Sequence, residues 1–108
     1  MAFSLDALIT GRQFDQLLPE LSARFRRLDI DLECTYCKPT NNPALCLDLE
    51  NATHVGRLTL WTSGACEVEV IRIADGVQVM GESLMVESSD GLLAALFGIG
   101  NFMKAALG

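Results

Sequence analysis

The most reactive side chains in the sequence are four cysteines. Cys34 and Cys37 are three positions apart, a spacing that can bind zinc or exchange disulfides when it lies at a turn or a helix start. Here the pair lies in a segment that alternates like a β-strand, where such residues face opposite sides of the sheet. Cys46 and Cys66 add no second pair at this spacing. We therefore expect free thiols that act as small hydrophobic side chains, and a structural zinc site is the alternative.

Other catalytic patterns are weak. His54 is the single histidine, and it is predicted to be a solvated residue in a turn. The sequence has no glycine-rich phosphate loop, nucleophile elbow or recognisable pair of nucleophile and base. We predict no catalytic residue, no metal ligand and no cofactor. A small enzyme that uses the cysteines or His54 is retained only as a hypothesis.

The acidic residues form the second pattern. The 108-residue chain has 14 Asp and Glu against 8 Lys and Arg, a formal net charge of −6. This sign argues against nucleic acid and anionic lipid, and it suits a basic protein partner, although solubility also favours an acidic surface. The acids alternate with leucines, so one sheet face is predicted to hold Asp29, Asp31, Glu33, Asp48, Glu50, Glu67 and Glu69, with Arg57, Thr59 and Trp61.

Trp61 is predicted to lie on this acidic face beside a hairpin. A tryptophan on the solvent side of a strand exposes a large apolar area, and tryptophan is strongly enriched at the centres of protein interfaces. Two interpretations stay open at this point. Trp61 is either an interface anchor or a residue that covers the edge of the core.

The elements that position these residues follow from the period of the apolar side chains. Residues from Phe14 to Leu28 are spaced by three and four, which predicts a helix, and Pro19 predicts a break in it. The period then becomes two, which predicts strands at about 30–36, 45–50, 55–61, 66–70 and 77–86, with a phase slip at 71–73 and turns at 38–43, 62–64 and 75–76.

A closing helix is predicted after the strands. Ser88, Ser89 and Asp90 supply capping side chains, and apolar residues follow as far as Leu107. Successive strands with short connections form an antiparallel sheet, and two flanking helices cover one of its faces. We predict one α+β domain over residues 1–108, with a two-layer architecture, a sheet of four to five strands, and both helices on one face.

The start of the chain, Met1 to Gly11, has no basic segment followed by an apolar stretch and a cleavage site. No later apolar run is long enough to span a membrane without interruption. We therefore expect reduced thiols and a cytoplasmic location.

The middle of the sequence resembles the TriTu family of bacterial immunity proteins. The resemblance is carried by Leu47-Asp48-Leu49-Glu50-Asn51 and by the hairpin sequence GRLTLWTSGAC at residues 56–66. A leucine-rich C-terminal helix is a further family feature. The likeness extends over about residues 45–97, and the Trp-x-x-Gly-x-Cys part is its most specific element. The sequence departs from the family at Arg72 and Ile73, where one position is usually aspartate.

The resemblance implies a protein that neutralises an Rhs-type polymorphic toxin delivered by a type VI secretion system. The family's toxin is an ADP-ribosyltransferase that modifies elongation factor Tu, and the immunity protein occludes its cleft in a one-to-one complex. A secretion chaperone, which would work as a dimer, is the alternative function. For the immunity function the predicted contacts are Trp61 as an anchor, Arg57 and Thr59 beside it, and Asp48, Glu50, Glu67 and Glu69 as complementary charges.

Overall fold

A computed structural model describes residues 4–37 and 43–106. The helical elements are α1 (Leu5–Ile9), a 3₁₀ helix (Gln13–Gln16), α2 (Leu18–Arg26) and α3 (Ser89–Ala106). The strands are β1 (Asp31–Cys37), β2 (Ala44–Glu50), β3 (His54–Trp61), β4 (Ala65–Arg72) and β5 (Gln78–Met85).

The strands form one antiparallel sheet in the order β1-β2-β3-β4-β5, so each strand pairs with its neighbour in the sequence. The predicted α+β class is therefore confirmed. The predicted phase slip is confirmed too, because the pairing of β4 with β5 shifts register between Val70 and Ile71. The predicted loop at 38–43 lies almost wholly outside the described residues, as does Leu107.

The N-terminal region has the predicted break and one helix more than predicted. Phe14 lies in the 3₁₀ helix, and α2 begins at Leu18 with Pro19 in its first turn, so the expected break is confirmed. A helix at 5–9 was not predicted. It is only five residues long, too short for a periodicity test, and the Ser4 hydroxyl caps it by accepting a hydrogen bond from the amide of Ala7 at 3.1 Å.

Asp29 does not belong to β1, and its predicted place on the acidic face is wrong. Its φ of 60° is left-handed, because the chain turns sharply between the end of α2 and the first strand. The amide of Ile30 closes this turn by donating to the carbonyl of Phe25 at 3.0 Å. Strand β1 starts only at Asp31.

The helices pack on one side of the sheet, which we call the leucine face. Apolar side chains at alternate strand positions meet apolar side chains from the helices in a single cluster. Burial of such side chains is the main stabilising contribution to the fold. Its fully buried large members include Phe14, Phe25, Leu45, Leu47, Leu49, Leu58, Leu60, Leu92, Leu96 and Ile99.

Helix α3 lies very close to the middle of the sheet at Gly56. A Cβ atom at this position would stand 2.9 Å from Cγ2 of Ile99 and 3.1 Å from Sδ of Met103. Both of these side chains are buried in the core. The absence of a side chain on Gly56 therefore sets the distance between α3 and the sheet.

Replacing Gly56 with alanine should destabilise the protein by about 1–3 kcal/mol, because the added methyl group overpacks the contact with Ile99. Gly98→Ala is the matched control. Gly98 is an exposed position of α3 with no atom within 4 Å of its Cβ site. Alanine there should stabilise the helix by about 0.5–1 kcal/mol. Urea unfolding measures both, and equal shifts of the two midpoints would contradict the close approach.

Candidate functional site

The side of the sheet opposite the helices, which we call the open face, is crossed by four rows of side chains. Strand pairing places one residue of each strand in each row. From one end of the sheet to the other, the rows contain Cys37, Ala44, Trp61, Ala65 and Met85; then Thr35, Cys46, Thr59, Glu67 and Ser83; then Glu33, Asp48, Arg57, Glu69 and Gly81; and finally Asp31, Glu50, Val55, Ile71 and Gln78.

All seven residues predicted to bind a partner lie together on the open face. They are Asp48, Glu50, Arg57, Thr59, Trp61, Glu67 and Glu69. The face also holds Asp31 and Glu33, so it has six carboxylates against one guanidinium and a net charge of −5. Because the whole chain has a net charge of −6, most of its excess acidity is on this one surface.

Arg57 occupies the centre of the charged part of the face. Its Nε donates a hydrogen bond to Oδ1 of Asp48 at 2.7 Å, and Glu69 is its neighbour on the other strand. The hydrogen bond to Asp48 raises the pKa of the Arg57 guanidinium further above its ordinary value. The two side chains are 56% and 34% exposed, so the pair orients the guanidinium but contributes little to stability.

A depression of about 860 Å³ lies over the row that contains Arg57 and the row that contains Val55. Carboxylates form most of its polar lining, and the side chains of Val55 and Ile71 supply an apolar part of its floor. A smaller depression of about 330 Å³ adjoins it across Arg57 and Glu69. The two depressions thus coincide with the most acidic part of the open face.

Trp61 lies on the open face at the end of β3 and is half-buried. Its strand neighbour Leu60 points the opposite way and is fully buried in the core. The indole is therefore not part of the described core cluster. Met85, on the edge strand β5 at the end of the same row, is 73% exposed and was not predicted from the sequence. The available signal was weak, because β5 alternates less regularly than the other strands.

A family model described as immunity protein TriTu matches residues 12–98. The chain belongs to this family. The match includes all five strands and the first half of α3. Comparison with curated proteins and with solved structures gave no match.

In this TriTu chain the asparagine that follows β2 holds together the turn before β3. Oδ1 of Asn51 accepts hydrogen bonds from the amides of Thr53 and His54 at 3.0 and 2.7 Å. Its Nδ2 donates to the carbonyl of Met103 in α3 at 3.4 Å. Asn51 is buried, so these bonds satisfy a polar group inside the protein and connect the turn to the helix. These bonds give Asn51, the last residue of the Leu-Glu-Asn sequence, a structural role.

The prediction that His54 is a solvated turn residue is wrong. His54 is the first residue of β3 and is 5% exposed. Its Nδ1 lies 2.7 Å from Oγ1 of Thr53. The ring is therefore part of the packing around the Asn51 turn.

The thiols of the TriTu chain are divided between the two sides of the sheet. Cys34 and Cys66 are on the leucine face, whereas Sγ of Cys37 lies 3.3 Å from Sγ of Cys46 on the open face. The two cysteines of the Cys-x-x-Cys spacing thus face opposite sides, as predicted. Among residues 4–37 and 43–106, no cluster of His, Cys, Asp and Glu could hold a metal ion. Nor is any helix in these residues long and apolar enough to cross a membrane.

Tyr36 fastens the N-terminal segment to β1. Its hydroxyl donates a hydrogen bond to Oδ1 of Asp15 at 2.9 Å, and the Arg12 guanidinium lies 4.8 Å from its ring centroid. Burial, and then the bond to Asp15, raises the pKa of the Tyr36 hydroxyl well above its ordinary value. The contact places the helical segment firmly on the leucine face.

The two thiols on the leucine face should resist alkylation at pH 8. Burial is the largest cause that raises the pKa of both Cys34 and Cys66 to about 11. The thiolate fraction at pH 8 is then on the order of a hundredfold below that of an exposed cysteine. We expect their labelling by iodoacetamide to be correspondingly slower in the native protein than in urea, and to rise about tenfold per pH unit between pH 8 and 10. Peptide mass mapping measures each site, and equal native and unfolded rates for Cys66 would contradict its burial.

Proposed function

We propose that this TriTu protein binds and neutralises a cognate Rhs-type ADP-ribosyltransferase toxin by occluding its active-site cleft. In this proposal the protein acts in the bacterial cytoplasm as a monomer, in a one-to-one complex that protects the producing cell and its kin. Family membership supports the immunity function. The toxin class, its delivery by type VI secretion and its action on elongation factor Tu are what the resemblance to this family implies.

The observation that carries the proposed mode of binding is the acidic open face. It holds a net charge of −5 and lies opposite all the described helices. The cleft of an ADP-ribosyltransferase must bind the two phosphates of NAD, which favours basic groups around it. Opposite charges on two surfaces speed their encounter and reject unsuitable partners.

The roles of the side chains follow from their positions. Asp48, Glu50, Glu67 and Glu69 supply the complementary charge, and Thr59 lies in the same row as Glu67. Trp61, in the row of the open face that holds no charged residue, is the anchor, since a large half-buried ring gains contact area at little entropic cost. Nε of Arg57 already donates to Asp48, so a two-pronged contact of Arg57 with the toxin uses its two Nη atoms.

Charge reversal on the open face tests this mode of binding. The double variant Glu67→Lys with Glu69→Lys should weaken binding to the toxin domain encoded by the neighbouring gene by at least about a hundredfold, because like charges then oppose each other. The toxin domain carries an inactivating substitution, and calorimetry measures affinity. Most of the loss should come from slower association at low salt.

The matched control is Asp6→Lys with Glu20→Lys, which changes the net charge equally but on exposed positions of α1 and α2. This control should retain wild-type affinity within a fewfold. An equal loss in both double variants would show that total charge matters and the face does not. Light scattering should also give a monomer alone and a one-to-one complex, whereas a stable dimer of the free protein would favour the chaperone function.

A further inference from the structure

Met85 is the most exposed of the large apolar side chains in the described part of the chain. It is 73% exposed, compared with 50% for Ile73, 47% for Val77 and 36% for Phe102. Single exposed apolar residues are common on protein surfaces and require no explanation. Met85 differs from the other three because of its neighbours on the open face.

Met85 stands in one row with Ala65, Trp61 and the buried Ala44, and Cys37 completes the row on β1. Ala65 pairs with Met85, and Ala44 pairs with Trp61. Trp61 is the last residue of β3 and Ala65 the first of β4, so the two flank the 62–64 turn. We call these four residues the apolar row. None of them is charged, whereas each of the other three rows contains at least one carboxylate.

The two ends of the open face therefore differ in chemistry. The two rows farthest from the apolar row contain five of the six carboxylates together with Arg57. Six residues along a strand separate the outermost rows, which is about 20 Å at the usual rise of an antiparallel strand. A partner that covers the whole face must be basic at one end and apolar at the other.

We propose that the apolar row receives a nonpolar side chain of the same toxin whose basic surface faces the acidic rows. This inference rests on the proposed function and specifies the partner's surface. Methionine is flexible and polarizable and adapts to varied apolar shapes, and tryptophan adds a rigid wall beside it. Charges at one end accelerate encounter, while apolar burial at the other end slows dissociation and fixes the orientation.

A second copy of this chain is a poor occupant of the same surface. Two open faces would bring together two surfaces with a net charge of −5 each, and like charges across an interface oppose association. The continuity of the apolar row with the acidic rows thus favours a basic partner that carries an apolar projection.

The first test separates association from dissociation. Met85→Ser keeps the net charge, and Phe102→Ser on α3 is the matched control for loss of an exposed apolar side chain. Binding to the inactivated toxin domain is measured by surface plasmon resonance at low and high salt. We expect Met85→Ser to raise the dissociation rate constant about tenfold, with an unchanged salt dependence of association. Phe102→Ser should change neither quantity.

The second test observes the side chain directly. The chain has four methionines, so ¹³C-methyl labelling gives few signals. Toxin binding should shift the Met85 signal strongly and leave that of buried Met103 almost unchanged. Wild-type binding with an unshifted Met85 signal, or with dissociation of Met85→Ser within twofold of wild type, would overturn this inference alone. Failure of the wild-type protein to bind would overturn the proposed function as well.

Discussion

The close packing of α3 on the sheet at Gly56 is the contact on which the rest of the arrangement depends. It brings Ile99 and Met103 against the strands and closes the core on the leucine face. The opposite face cannot be covered in the same way, because burying its carboxylates without partners would cost several kcal/mol each. Gly56 on one side and the six carboxylates on the other therefore determine which face of the sheet stays available to a partner.

This division separates stability from recognition. Side chains of the leucine face and the Asn51 turn stabilise the fold, and the loss of any of them would destabilise the protein. Side chains of the open face contribute little to stability, as the exposed Arg57–Asp48 pair illustrates. Residues of the open face can therefore change to suit a different partner while the scaffold stays the same, which is useful to a family of immunity proteins.

Much of the fold could be predicted from the sequence because apolar and polar residues alternate clearly in β1 to β4. The same pattern predicted that all seven candidate contacts share one face of the sheet, and the strand pairing confirms this placement. Asp29 was misplaced because it continues the alternation of polar and apolar residues that marks β1. Its backbone is nevertheless left-handed, a conformation that aspartate tolerates. His54 was misjudged because a composition rich in turn residues does not reveal that the Asn51 turn packs the ring into the protein. Met85 was missed because β5 alternates less regularly than the other strands.

The order of the strands has a consequence for how quickly the protein becomes available. Every strand pairs with the next one along the chain, so the ends joined in each pairing are never far apart. Sheets built from such local pairings lose little chain entropy in each closure and fold faster than sheets with long crossovers. Each hairpin can form as soon as its second strand leaves the ribosome. An immunity protein benefits from such rapid folding, because it must be folded before its toxin accumulates.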